Sequence, residues 1–421
     1  MNRPNKIYLL AAVFFIVAPL SVSGTASDGI KYARLAITAA MIGMGLFVYR
    51  ADPLNSTTKT FTFFVVLFTA GALWSDSIFY ALFNKSMFLM SALAGVYMVY
   101  TTKSEEELTS GIKLLALTGT IAGFLLFATY LQNPDSGTAG DRLAVGGMNA
   151  NTIGAAAGPM FIFSFFLGLW RPEFKLRVVC FSSALLLAIV ILGTGSRGAT
   201  LMAIVGTLIA TKPFLQKRAS TVLLAIALPI GMLQIYAVAT GTSVASKIPG
   251  LERIVSGGNK ENTRAGMWNF ALKKFNKSPI IGIGWLSWGK KSSANCHNAY
   301  LQILVEVGIL GAAVFLASTV QLILRLSSVK YTLRESSHPE LLALPLGLLA
   351  SLAVHGMIEA SFLFGTTALP LLLGFSIALI DRLPSLLATS SATIPISRTT
   401  PAIPRLDIRP RRRHPDSRGH E

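Results

Sequence analysis

Two arginines and a histidine stand where an apolar chain has least reason to carry them. In "GTGSRGA", residues 193–199, Arg197 lies between Gly195 and Gly198 at the start of an apolar segment. Glycines let a ligand come close to the backbone, and the free amides of a helix start add partial positive charge, so this turn can seat an anion. The same arginine can also serve as a snorkelling membrane anchor. "NTRAGMWNFALKKFNKSPIIGIGW", 262–285, places Arg264 at the head of a stretch with helical period in a basic loop. For the lysines of that loop a solvated basic face is the plain alternative. "NCHNAYLQILVEVGILG", 295–311, opens the next apolar run with His297. An imidazole there can accept a proton near neutral pH, or simply finish a junction between loop and helix. Anion binding and proton transfer are the chemistry these types allow.

Other polar residues gather near the same sequence breaks. Asn298, Gln302 and Glu306 are spaced i, i+4, i+8 and share one helix face. Polar groups in hydrocarbon are costly unless partnered, so Gln302 and Glu306 read as structural, with Glu306 pairing to another span inside the bundle. "HGMIEASF", 355–362, puts His355 and Glu359 four residues apart, an imidazole and a carboxylate on one helix edge. A carboxylate there can orient an arginine or accept a proton. "GDRLAVGGMNANTIG", 140–154, supplies Arg142, Asn149 and Asn151; for the asparagines, a turn followed by a helix cap is an equal alternative. With Ser196, Trp268 and Asn298, these are the candidate substrate contacts. Two cysteines and five scattered histidines offer no metal-ligand spacing, and no cofactor is expected.

The elements that must position these residues are membrane helices. The chain has 421 residues, 52% hydrophobic and 13% charged, with a mean hydropathy of +0.58. A soluble domain carries about 25% charged residues. Apolar windows give about twelve spans, at 7–23, 30–49, 60–74, 87–101, 112–131, 153–170, 177–193, 198–211, 219–240, 299–324, 341–359 and 364–380. The first, "IYLLAAVFFIVAPL", lacks a clear small-x-small cleavage site and reads as an uncleaved span. Arg50, Lys59, Lys103, Arg171, Lys175, Arg177, Lys212, Lys217, Arg325 and Lys330 fall on the side of the N-terminus, which the positive-inside rule makes cytoplasmic. Both termini are then inside and every candidate site residue is outside. Residues 1–381 form the membrane domain, with a long outer loop at 241–298 between spans nine and ten. In that loop Met267, Trp268, Ala271, Leu272 and Phe275 share a face that suits an interfacial amphipathic helix. Residues 382–421, rich in Pro, Arg and Ser without apolar period, are expected to be a disordered cytoplasmic tail.

"SRGA" at a span start, "TRAGMW…SPIIGIGW" in a long outer loop and "HNAYLQILVEVGILG" opening the next span together resemble the bacterial O-antigen ligase/polymerase family; "GMNANTIG" and "WSDSIFYAL" (74–82) fit the same pattern. The likeness runs from about residue 70 to 380, and its order and spacing are more specific than any one piece. It implies an all-helical, GT-C-like fold and a metal-independent glycosyltransferase of the bacterial inner membrane, active at the periplasmic face. The donor would be an undecaprenyl-diphosphate-linked glycan, with lipid A-core as acceptor in a ligase or the next lipid-linked repeat in a polymerase. Within that pattern Arg197 and Arg264 are expected to hold the diphosphate and His297 to act as base.

The residue types suit that task. Guanidinium groups are planar, permanently charged, bidentate donors to phosphate. A sugar hydroxyl is a poor nucleophile that needs a general base. The compact loop and the close-set "SRG" turn lean toward the ligase rather than an O-antigen or exopolysaccharide polymerase. A flippase or transporter would spread polar residues through the membrane depth and show an inverted repeat; the sequence has no internal repeat and its unusual residues crowd one face. Membrane lipids are the other expected partners, with no nucleic acid and no protein partner evident.

Overall fold

In hydrocarbon a helix is the element that satisfies its own backbone N–H and C=O groups, so the apolar segments of this chain fold as helices. The computed structural model describes residues 5–20, 28–51, 56–132, 143, 149–171, 173–215, 263–289, 292–293, 295–333, 338–364 and 367–392. The helices are α1 Lys6–Leu20, α2 Asp28–Gly43 with a π-helical turn at Met44–Val48, α3 Ser56–Ala70, α4 Ile78–Tyr100, α5 Glu105–Gln132, α6 Ala150–Trp170 and α7 Phe174–Gly193. They continue with α8 Arg197–Leu215, α9 Thr263–Phe275, α10 Ala299–Thr332, α11 Ala343–Ile358 and α12 Leu369–Ala392. A two-stranded hairpin, β1 Ser287–Gly289 and β2 Ser292–Ser293, is the one departure from an all-helical chain among the described residues.

Nine of these helical segments are long and apolar enough to cross a membrane among the described residues, and Lys6–Val17 and Tyr32–Val48 are shorter apolar helices. The span expected at 219–240 lies outside the described residues. Two of the helix limits differ from those expected where a charge is buried. The span expected to start at Met87 begins at Ile78, because Lys85, which ends an apolar window, is enclosed and paired with Glu306. The span expected to end at Ile380 continues to Ala392, because Asp381 is buried against Arg325 at 2.8 Å. This moves the last helix into the segment expected to be tail; residues 393–421 lie outside the described residues.

Small residues set the closest helix contacts, as they do where lipid supplies no hydrophobic drive between helices. α4 lies along α12, and a side chain on Gly95 or Gly374 would run into the backbone of the facing helix at Leu371 or Ala92. α8 meets α11 in the same way through Gly206 and Gly347. The apolar core, with Phe163, Phe166 and Phe375 fully enclosed, thus holds the starts of α6, α8 and α10 and the end of α11 at one end of the bundle.

Candidate functional site

α10 is broken at Gly308, whose φ of 66° and ψ of −169° are far from helical. The "SPIIGIG" segment that follows α9 threads this break and satisfies the backbone groups it frees. Ile283 N–H donates to Val305 O (3.0 Å) and Gly284 N–H to Glu306 O (2.9 Å). Beyond the break, Ile309 N–H donates to Pro279 O (2.9 Å) and Leu310 N–H to Ile280 O (3.1 Å). Gly282 and Gly308, both at positive φ, lie so close that a Cβ on either would enter the other segment's backbone. The first two turns of α10 are thereby a separate short helix that carries His297 at its mouth.

Glu359 is where the candidate residues meet. It caps α11 with an extended backbone (φ −144°) after its own N–H has closed on His355 O at 2.8 Å. Its Oε2 lies 2.8 Å from His297 Nδ1, and its Oε1 accepts from Asn151 Nδ2 at 2.9 Å and Arg264 Nη2 at 3.4 Å. The carboxylate is 4% exposed, against 35% for the His297 side chain and 38% for that of Arg264. The imidazole and guanidinium therefore face outward from a shared buried anchor. His297 has φ 50°, a left-handed conformation that costs a residue with a Cβ about 1–2 kcal/mol. Its N–H is bonded to Asn295 Oδ1 at 2.7 Å.

Behind His297 the polar stripe of α10 is enclosed and partnered. Cys296 N–H donates to Gln302 Oε1 (3.0 Å), and Gln302 Nε2 donates to Glu306 Oε1 (2.5 Å). That oxygen also accepts from Leu286 N–H (3.2 Å), while Glu306 Oε2 lies 3.0 Å from Lys85 Nζ. Lys85 also donates to Phe68 O at 2.9 Å and sits over the Phe68 ring. The pKa of the Cys296 thiol, outside the spans, is pushed up to about 12, first by burial and then by the Glu306 charge.

The other candidates divide into those near this cluster and those elsewhere. Arg197 is exposed at the first position of α8; Ser196, buried, caps that helix through a 3.4 Å bond from Ala199 N–H. Gly198 packs on the His355 ring and on Ile358, which brings the turn of Arg197 beside the end of α11. Asn149 caps α6 through Asn151 N–H at 2.8 Å. Asn298 caps α10 through Leu301 N–H at 2.9 Å and reaches Met357 O at 3.3 Å. Arg142 lies outside the described residues.

Two expectations are corrected. His355 does not share an exposed edge with Glu359: the chain leaves helical geometry at Glu359, and the His355 ring is wholly enclosed beside Gly198. It is not open to a substrate. The five residues expected to share one apolar face of α9 are divided, with Trp268 and Leu272 exposed and the other three packed inward. Ala271 is buried, and Met267, Phe270 and Phe275 pack with it against Leu286, Cys296, Leu301 and Val305, while Leu272 stays exposed. Trp268 turns its indole N–H to Cys296 O at 2.8 Å. The α10 mouth offers more apolar surface to cover than the period of α9 alone reveals. Lys85 and the threaded loop went unread in the sequence; a lone lysine inside "FYALFNKSMFLM" and the closely spaced glycines of "SPIIGIGW" and "VGILG" are the signals for them.

Comparison with known proteins bears on this geometry. Residues 182–316 match the family model described as O-antigen ligase. That stretch contains Arg197, Arg264 and His297 and stops short of Glu359. No curated protein matches the chain.

Proposed function

Because residues 182–316 match the O-antigen ligase family model, we propose that this chain transfers a glycan from undecaprenyl diphosphate to lipid A-core at the periplasmic face of the bacterial inner membrane. The observation that carries the reading is the meeting of His297, Arg264 and Asn151 on the buried carboxylate of Glu359. About twelve spans in a GT-C-like arrangement would hold that cluster at the outer surface.

In this mechanism the donor diphosphate lies against Arg264 and the start of α8. A cation at the first position of a helix is unfavourable beside the helix's own positive end, and a bound anion relieves both charges. Arg197 belongs there for that reason. As the bond from the anomeric carbon to the diphosphate breaks, the two guanidinium groups neutralise the leaving oxygen, the work a metal ion does elsewhere. His297, held through Nδ1 by Glu359, takes the acceptor hydroxyl proton on Nε2 as the oxygen attacks from the opposite face. The anomeric configuration is inverted. Glu359 fixes the ring and stabilises the imidazolium that forms, as a carboxylate behind a catalytic histidine does.

The test is a deletion strain complemented with wild type, Arg197→Lys or Arg264→Lys at equal protein level. A ligase predicts loss of all polymer from lipid A-core with lipid-linked polymer accumulating. Both lysine variants should fail to restore it, since lysine keeps the charge and loses the bidentate fork. A lipopolysaccharide carrying a single repeat would instead mark a polymerase. Full restoration by a lysine variant would return that arginine to a membrane anchor.

A further inference from the structure

We propose that Lys85, acting through Glu306 and Gln302, is a positioning residue for His297, which rests on the reading of His297 as the base. Cys296, the residue before His297, is held at both of its backbone groups: Trp268 Nε1 donates to Cys296 O at 2.8 Å, and Cys296 N–H donates to Gln302 Oε1 at 3.0 Å. A left-handed histidine persists only where its surroundings over-determine it. Here one of the two holds runs inward, from Gln302 Nε2 to Glu306 Oε1 and from Glu306 Oε2 to Lys85 Nζ, across to α4. Lys85 is anchored in turn by Phe68 O.

Gln302 can bond the Cys296 amide through its oxygen only while its NH₂ finds an acceptor. Glu306 Oε1 is that acceptor, and it also receives Leu286 N–H, so this oxygen must stay turned toward Gln302. A buried carboxylate is costly unless it is paired and hydrogen-bonded. Lys85, fully enclosed, pairs with Glu306 Oε2 at 3.0 Å, which fixes the carboxylate with Oε1 facing Gln302 and Leu286. The ion pair therefore does more than join two helices: it sets which way Gln302 faces, and hence where the backbone of His297 lies.

The test uses purified full-length Gln302→Met, Lys85→Met and Lys85→Met/Glu306→Gln. Each is compared with wild type and His297→Ala at matched amounts of folded protein. Two readouts are taken: transfer, as kcat and as KM for the lipid-linked donor, and alkylation of Cys296 at pH 8, followed on its own peptide. Cys296 is fully buried in the intact relay and should react slowly. Gln302→Met and Lys85→Met should each lose at least tenfold in kcat with donor KM within about twofold, and should alkylate at least tenfold faster. The double variant leaves no unpaired charge and keeps an amide oxygen for Gln302, so it should recover most of both. Should Lys85→Met fail to fold, Gln302→Met and the double variant decide alone. Wild-type kcat and alkylation in Gln302→Met would overturn the proposal, as would a loss carried by a rise in donor KM at unchanged kcat. Wild-type turnover by His297→Ala would overturn the base reading instead, and is told apart because the alkylation readout does not depend on it.

Discussion

Glu359 can serve an arginine and an imidazole together because each of its oxygens has its own donor set. Oε2 faces His297, while Oε1 is shared by Asn151 and Arg264. Hydrogen bonds to charged groups contribute about 1.5–3 kcal/mol, which corresponds to roughly 10–100-fold in rate if the bond is needed only as the imidazolium forms. Glu359→Gln is therefore expected to lose turnover by about that factor while remaining folded, since the amide fills the same space. Wild-type kcat in this variant would leave Glu359 a cap for α11 and no more. At this scale the sequence is informative about oddity and silent about partners. Arg197, His297 and Glu359 stand out because their types are out of place beside apolar spans, and Arg264 because it heads the helical stretch of a basic loop. That three of the candidates converge on Glu359 depends on where α11 ends, and a residue's spacing within "HGMIEASF" continues a helix that the chain abandons.

Among elements, the broken α10 is the one on which the site depends. Gly308 combines positive φ with contact against the threaded loop, so any side chain there meets both backbone strain and a steric clash. Gly308→Ala is expected to cost about 1–3 kcal/mol from a backbone conformation essentially restricted to glycine, and more from the clash. A lowered thermal unfolding midpoint in detergent checks this; an unchanged midpoint would mean that the loop does not lock the break. The half-helix pattern is hidden in the sequence because "VGILGAAVFL" keeps an unbroken apolar run across the glycine. Apolarity reports membrane depth and carries no information on a break whose backbone bonds are satisfied from another segment. The same blindness applies to Lys85 and Asp381, which end apolar windows on paper and continue helices in the structure because each has a buried partner.

For the whole molecule, the architecture of apolar helices was legible from composition and window length, and the side on which each loop lies rests on the lysine and arginine bias. A reporter active only in the cytoplasm should be on when fused after Lys217 or after Ala392 and off when fused within 245–260; the reverse pattern would move every candidate residue to the other side of the membrane. The central claim is that one end of this bundle holds a general base at His297. It is tested most directly by single-turnover transfer with purified wild type, His297→Ala and His297→Asn, with donor binding measured separately. Asparagine tolerates the left-handed backbone at this position, so it removes the base while sparing the local fold. Both variants should bind donor as wild type does and lose transfer by roughly 10²–10⁴-fold. Transfer close to wild type in His297→Asn, or a loss matched by lost donor binding, would contradict the account.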